Sequence, residues 1–243
     1  MPGVLITLRP AYFMKLFPPF FLTFLLLGCS SSGQLDNPEQ FQTMTGGQSV
    51  GGTTSFYWYT AKLDQPYSSA DYVMSGPYGW YQSDYHWQDE QLHEMVREGE
   101  KRNREQKLVE FKVHLRFSQS GEAVYQQYLL DDRIIPLTPE EIQSYQAEAR
   151  AVIGIAEAQS RRGQHLFQGE WDGETFDTCS GQEYTQLEFN QILPDFVLKR
   201  LASVDSYMAM IGGIRGGKLS VADLLLLEDD SFDCIERPVL IEE

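Results

Sequence analysis

An α+β fold, mostly antiparallel sheet with one long helix packed on it, is what this sequence predicts. Three observations predict it. Aromatic and β-branched runs separated by turn residues recur from Thr53 onward. Val109-Glu-Phe-Lys-Val-His-Leu-Arg-Phe117 alternates strictly, with Val109, Phe111, Val113, Leu115 and Phe117 on one face and Glu110, Lys112, His114 and Arg116 on the other. A stretch beginning at Thr138 carries helical spacing and its own start signal.

The chain opens with 28 residues that contain no acid and only two cations, Arg9 and Lys15. A mostly apolar run, Leu16 to Leu27, leads to Gly28-Cys29. A cationic start, an apolar core and a small residue before the cut make a secretory signal peptide over 1–28. A membrane-spanning helix needs about 20 apolar residues, and Pro18-Pro19 would break a shorter one. Met14-Lys15 would itself suit the start of a compact signal, with residues 1–13 as an extension.

Leu26-Leu27-Gly28-Cys29 resembles the lipobox of bacterial lipoproteins. The resemblance implies that Cys29 becomes the first residue, thioether-linked to diacylglycerol and N-acylated with a palmitate-like chain. At roughly 0.8 kcal/mol per buried methylene, two or three chains anchor a protein almost permanently. It also implies the outer membrane, because Ser30 stands where inner-membrane lipoproteins have Asp. Without residues 1–28 the chain keeps 17 Lys and Arg against 35 Asp and Glu, a formal charge of −18. Nucleic acid and anionic lipid surfaces repel so acidic a body, so a basic binding patch is excluded as its main theme.

Residues 29–52 are expected to be a flexible tether, rich in Ser, Gly, Gln and Thr and without apolar periodicity. Residues 53–243 are expected to form a single α+β domain, with 163 as the place where it could divide. Ser55 to Thr60, Ala70 to Ser75 and Trp80 to Trp87 read as strands, the last two joined by a Gly76-Pro-Tyr-Gly79 turn. Gln88 to Lys107 has 11 charged residues among 20; it reads either as a solvated helix or, preferably, as a long hairpin with its tip near 99–103. Val109 to Phe117 then turns at Ser118-Gln-Ser-Gly121 into Val124 to Leu130.

Thr138-Pro139-Glu140-Glu141 supplies an N-cap, a proline at the first helical position and a capping box. Ile142, Tyr145, Ala149, Val152, Ile153 and Ala156 follow at helical spacing, so a helix over about 139–162 is expected, stopped at Gly163. Sheet resumes with Leu166 to Trp171, an Asp172-Gly173 turn and Glu174 to Cys179. Tyr184 to Phe189 reads as a strand and 193–202 as a short helix. Ser206 to Ile214, Lys218 to Leu227 and Phe232 to Ile235 complete a meander, with Gly212-Gly213 as a bulge and Gly216-Gly217 as a turn.

Two cysteines remain after Cys29, namely Cys179 and Cys234. An oxidising periplasm favours a disulfide between them; in a reducing compartment each would be a small buried hydrophobe. No convergent catalytic set is visible. His86 and His93 lack the further ligands a zinc site needs, no Gly-x-Ser-x-Gly elbow occurs, and the glycine clusters lack the Lys-Ser/Thr of a phosphate loop. Asp172 to Asp177 and Glu228 to Asp233 read as acidic turns rather than calcium loops. Catalytic residues, metal and cofactor are therefore each expected to be none.

One bias stands out. Eleven of 31 aromatics fall within 56–87, which makes Trp58, Tyr78, Trp80, Tyr81, Tyr85 and Trp87 candidates for an exposed ligand-binding patch. The alternative is that they fill a β core.

Leu115 to Tyr128, the Thr138 helix start and Phe232-Asp-Cys234 together resemble the uncharacterised YjaH-like lipoproteins of gammaproteobacteria. The likeness covers most of the chain after the signal. It implies an exported protein and transfers no activity. The function expected is that of a membrane-anchored periplasmic lipoprotein, a non-enzymatic binding or envelope-assembly module. Its partners would be the bilayer, through acylated Cys29, and an envelope protein or glycan. A carboxylate-dependent hydrolase of peptidoglycan or glycan, and an accessory structural protein of the envelope, are the alternatives.

Overall fold

Eight strands form an uninterrupted antiparallel meander at the start of the computed structural model, which describes residues 40–242. They are β1 (Phe41–Val50), β2 (Thr53–Lys62), β3 (Gln65–Met74), β4 (Gly79–Gln88), β5 (Gln91–Arg102), β6 (Leu108–Phe117), β7 (Ala123–Leu130) and β8 (Arg133–Ile134). Four of the connections are two-residue turns with both residues at positive φ: Gly51-Gly52, Leu63-Asp64, Asp89-Glu90 and Asp131-Asp132. This geometry matches the right-handed twist of the flanking strands. Only the first turn uses glycine to reach it.

Helix α1 (Pro139–Ser160) follows, and then a second sheet. Its chain order is β9 (His165–Trp171), β10 (Phe176–Thr178), β11 (Glu183–Tyr184), β12 (Leu187–Phe189), α2 (Asp195–Leu201), β13 (Ser206–Arg215) and β14 (Lys218–Asp229). Its spatial order is β11-β10-β9-β13-β14-β12, with β12 parallel to β14. The described residues belong to one compact unit.

The first sheet is the middle layer, and the alternation of its side chains says why. Tyr57, Tyr85, Met95, Val113 and Leu115 point to one face and pack on Ala149 and Val152 of α1. Phe56, Trp58 and Ala70 point to the other and pack on Tyr207, Ala209, Ile211 and Leu225 of the second sheet. Each large apolar side chain so buried contributes roughly 1.5–3 kcal/mol. The unbroken aromatic run of β2 is thus the mark of a strand covered on both faces. Helix α1 begins as its sequence dictates: Glu141 N donates to Thr138 Oγ1 (3.2 Å) and Thr138 N to the Glu141 carboxylate (2.8 Å).

Several sequence expectations need correction. The tether cannot extend to 52, because β1 pairs with β2 from Phe41↔Lys62 to Val50↔Thr53. Its apolar periodicity is missing because Gly46 and Gly47 leave slots: Gln159 of α1 enters over the first, and Leu225 and Ile211 pack over the second. The charged segment 88–107 is strand rather than helix, but its turns lie at Asp89-Glu90 and 103–107. Gly99 is mid-strand, opposite Tyr81 and Phe111. Tyr184 to Phe189 divides into β11 and β12 on opposite edges of the second sheet. The two helices, in contrast, fall where expected, as Pro139–Ser160 and Asp195–Leu201.

Phe232 to Ile235 is not a strand. After β14 the chain runs as an irregular strap held by side chains. The Gln168 amide exchanges two hydrogen bonds with the Ile235 backbone (3.0 and 3.1 Å). The buried Asp84 carboxylate accepts from Leu240 N (3.0 Å) and Ile241 N (3.1 Å). A Cys179–Cys234 disulfide, with Cα atoms 6.1 Å apart, ties this strap to the end of β10.

Candidate functional site

The six candidate aromatics do not form one surface. Trp58 is buried between the sheets, while Tyr85 and Trp87 are buried under α1. Trp80 is half-buried on the opposite face from α1, stacked on Tyr72 (5.6 Å) with its indole N–H on Glu100 (3.2 Å). Two remain beside an opening. Tyr78 lies 67% exposed on the 3-10 turn (Gly76–Tyr78) between β3 and β4, and Tyr81 is half-buried on the α1 side.

That opening is a cavity of about 350 Å³ between the ends of β4 and β5 and the first half of α1. Tyr78, Tyr81, Lys101, Phe111, Tyr145 and Glu148 are among the side chains around it. Arg97 of β5 sits at its base, buried in the inward phase of the strand. Its Nε donates to Ser83 Oγ (2.8 Å) and Nη2 to Tyr85 Oη (2.9 Å). Tyr85 in turn donates to Asp71 Oδ2 (3.2 Å), whose carboxylate lies 3.8 Å from Arg97. On the solvent side Nη1 donates to Glu148 of α1 (2.7 Å), a side chain 41% exposed. The Tyr81 and Tyr145 rings flank the guanidinium at 4.0 and 5.0 Å.

Burial works against charge throughout this cluster. It raises the Asp71 carboxyl above its ordinary range, an effect the neighbouring Arg97 only partly offsets. Burial also disfavours the Arg97 cation, but the oxygens of Tyr85 and Asp71 overcome this and hold it protonated. Tyr145 is pushed by burial up to about 12, so its phenol stays neutral and able to donate. Lys101 is lowered by burial; its Nζ rests over the Tyr128 and Phe111 rings at 4.8 and 5.1 Å. Asp71 Oδ1 is buried with no hydrogen-bond partner among the described residues.

Sequence reasoning missed Asp71, Arg97, Lys101, Tyr145 and Glu148 as a site. The available signal was phase: Asp71 alternates with Ser69 and Val73, and Arg97 with Met95, so each charge falls on a buried face. The histidines stay apart from this cleft. His86 pairs with Glu94 across β4 and β5, His93 is exposed, and His114 shares the Glu94 carboxylate with Arg116. Among the described residues no three His, Cys, Asp or Glu side chains converge as a metal would require. Asp172 caps its own turn, accepting from Glu174 N and Thr175 N. Cys29 lies outside the described residues.

A family model described as "Protein of unknown function (DUF1481)" matches residues 45–239, from the middle of β1 to the strap. The chain belongs to this family. No curated protein and no solved structure matches it. In this DUF1481 member the chemistry of the cleft over Arg97 is set by its own side chains. Its base is an ionic network that leaves Asp71 Oδ1 unpartnered, its walls are aromatic, and its acids are engaged: Glu148 by Arg97 and Ser144, Glu141 in the helix cap. Such an arrangement can hold a ligand without moving protons.

Proposed function

We propose that this protein is a lipid-anchored lipoprotein of the periplasmic face of the outer membrane and serves as a non-enzymatic binding module. The observation that carries the binding role is the cleft over Arg97. Where the sheet meets α1, an interface that could have been filled with apolar side chains instead spends Arg97, Asp71, Tyr81 and Tyr85 of the sheet and Tyr145 and Glu148 of the helix on shaping an opening. Buried ion pairs are weak contributors to stability, and local departures from ordinary packing concentrate at functional sites. The anchored and exported part rests on the signal layout, on the lipobox-like Leu26 to Cys29, and on the Cys179–Cys234 disulfide, a bond that persists in oxidising compartments. No described helix is long and apolar enough to cross a membrane; in this proposal the acyl chains on Cys29 supply the attachment.

Hydrolase chemistry draws less support, because the two acids facing the cleft, Glu148 and Glu141, are held in an ion pair with Arg97 and in the helix cap. Fractionation and palmitate labelling of cells test the anchor. The natural chain is expected in the outer-membrane fraction with acyl label, and Cys29→Ser is expected without label. A natural chain that takes up no label and stays in the cytosol overturns the proposal.

A further inference from the structure

The chemistry around the cleft narrows what it can hold. At about 350 Å³ it is at the small end of ligand sites, which run from roughly 300 to 1,000 Å³. It opens over β4 and β5, and both are paired on each side, so no free strand edge is offered to an extended peptide. Its ionic groups come in both signs, with Arg97 and Lys101 against Glu141 and Glu148, so neither a simple anion nor a simple cation meets a complementary field.

Hydrogen-bonding capacity nonetheless remains. Lys101 carries three donors, and its Nζ rests over the Tyr128 and Phe111 ring faces. Each Glu148 oxygen accepts one hydrogen bond and has room for another. The lining also carries ring faces, of which Tyr78 is the most exposed, with the Arg102 guanidinium 5.8 Å from the ring centre. A neutral ligand with apolar C–H faces and a girdle of hydroxyls, each able to donate and accept, matches all three features.

Resting on the binding role proposed above, we infer that the cleft takes one pyranose ring of a neutral glycan, packed on Tyr78 and hydrogen-bonded by Lys101 and Glu148. Calorimetric titration of the full chain, in a zwitterionic detergent free of sugar, tests it with three probes: the N-acetylglucosamine tetramer, maltotetraose and tetra-alanine. At least one saccharide is expected to bind saturably. Tyr78→Ala and Lys101→Met should each weaken that binding at least tenfold with an unchanged melting temperature. Saturable binding of neither saccharide overturns the inference, and so does saccharide binding that both variants leave unchanged. Binding of tetra-alanine alone, lost in Tyr78→Ala, overturns the glycan while leaving the binding role standing.

Discussion

Arg97 holds a full charge where the strand alternation calls for an apolar side chain, and its neighbours make that tolerable. Asp71 shares the burial and has a raised carboxyl. A carboxyl raised on folding binds its proton more tightly in the folded chain. It therefore adds stability below its ordinary value of about 3.9 and loses that contribution as pH rises through the raised value. Arg97→Met removes the cation that limits the rise. At about pH 8 the variant leaves Asp71 as an unpaired buried carboxylate, and a loss of about 3–5 kcal/mol is expected. Toward about pH 5 the loss should shrink as Asp71 takes up a proton. Urea unfolding at the two pH values measures the difference, and adding Asp71→Asn should recover most of it at the higher pH. An equal loss at both values would show that Asp71 does not titrate in the network.

At the level of elements, the turns explain much of what could and could not be read. Asp89 and Glu90 sit at φ of +50° and +62°, a conformation that costs a non-glycine residue roughly 1–2 kcal/mol. Glu90→Gly removes that strain but gives back roughly 0.5–1 kcal/mol in chain entropy. A net gain of about 0.5–1 kcal/mol is expected, read as a rise in melting temperature; no gain would mean that β4 and β5 pairing fully relaxes the turn. The same turn, lacking glycine, is why the start of β5 was illegible while the Val109 to Phe117 strand and the Thr138 helix start were plain. Local rules governed those two, alternation in one and capping in the other. Strand β1 was hidden for the opposite reason: Gly46 and Gly47 are informative only beside Gln159, 112 positions away from Gly47, which exchanges two hydrogen bonds with it. The cleft shares that dependence, since Arg97 meets Glu148 across 51 residues, and the hairpin preferred for its stretch placed a tip near 99–103 where the strand in fact continues.

Across the whole molecule, a covalent link and a buried carboxylate hold the strap alongside the Gln168 amide, and the first two act on different states. The Cys179–Cys234 bond spans 55 residues and lies between the end of β10 and a segment without regular structure. Its main effect is to restrict the unfolded chain, about 4 kcal/mol for a loop of this length. Asp84 acts on the folded state, because its carboxylate takes the Leu240 and Ile241 amides and approaches Arg237 at 3.5 Å. Replacing both cysteines by alanine should therefore lower unfolding stability by about 4 kcal/mol while the folded strap stays in place. Denaturant unfolding gives the first quantity, and reduction of the natural protein should reproduce it. Amide exchange at Leu240 and Ile241 gives the second. Protection there should survive in the double-alanine variant under native conditions and fall in Asp84→Ala with the disulfide intact. Loss of that protection on removing the disulfide alone would instead make the bond the seat of the strap, and Asp84 a follower of it.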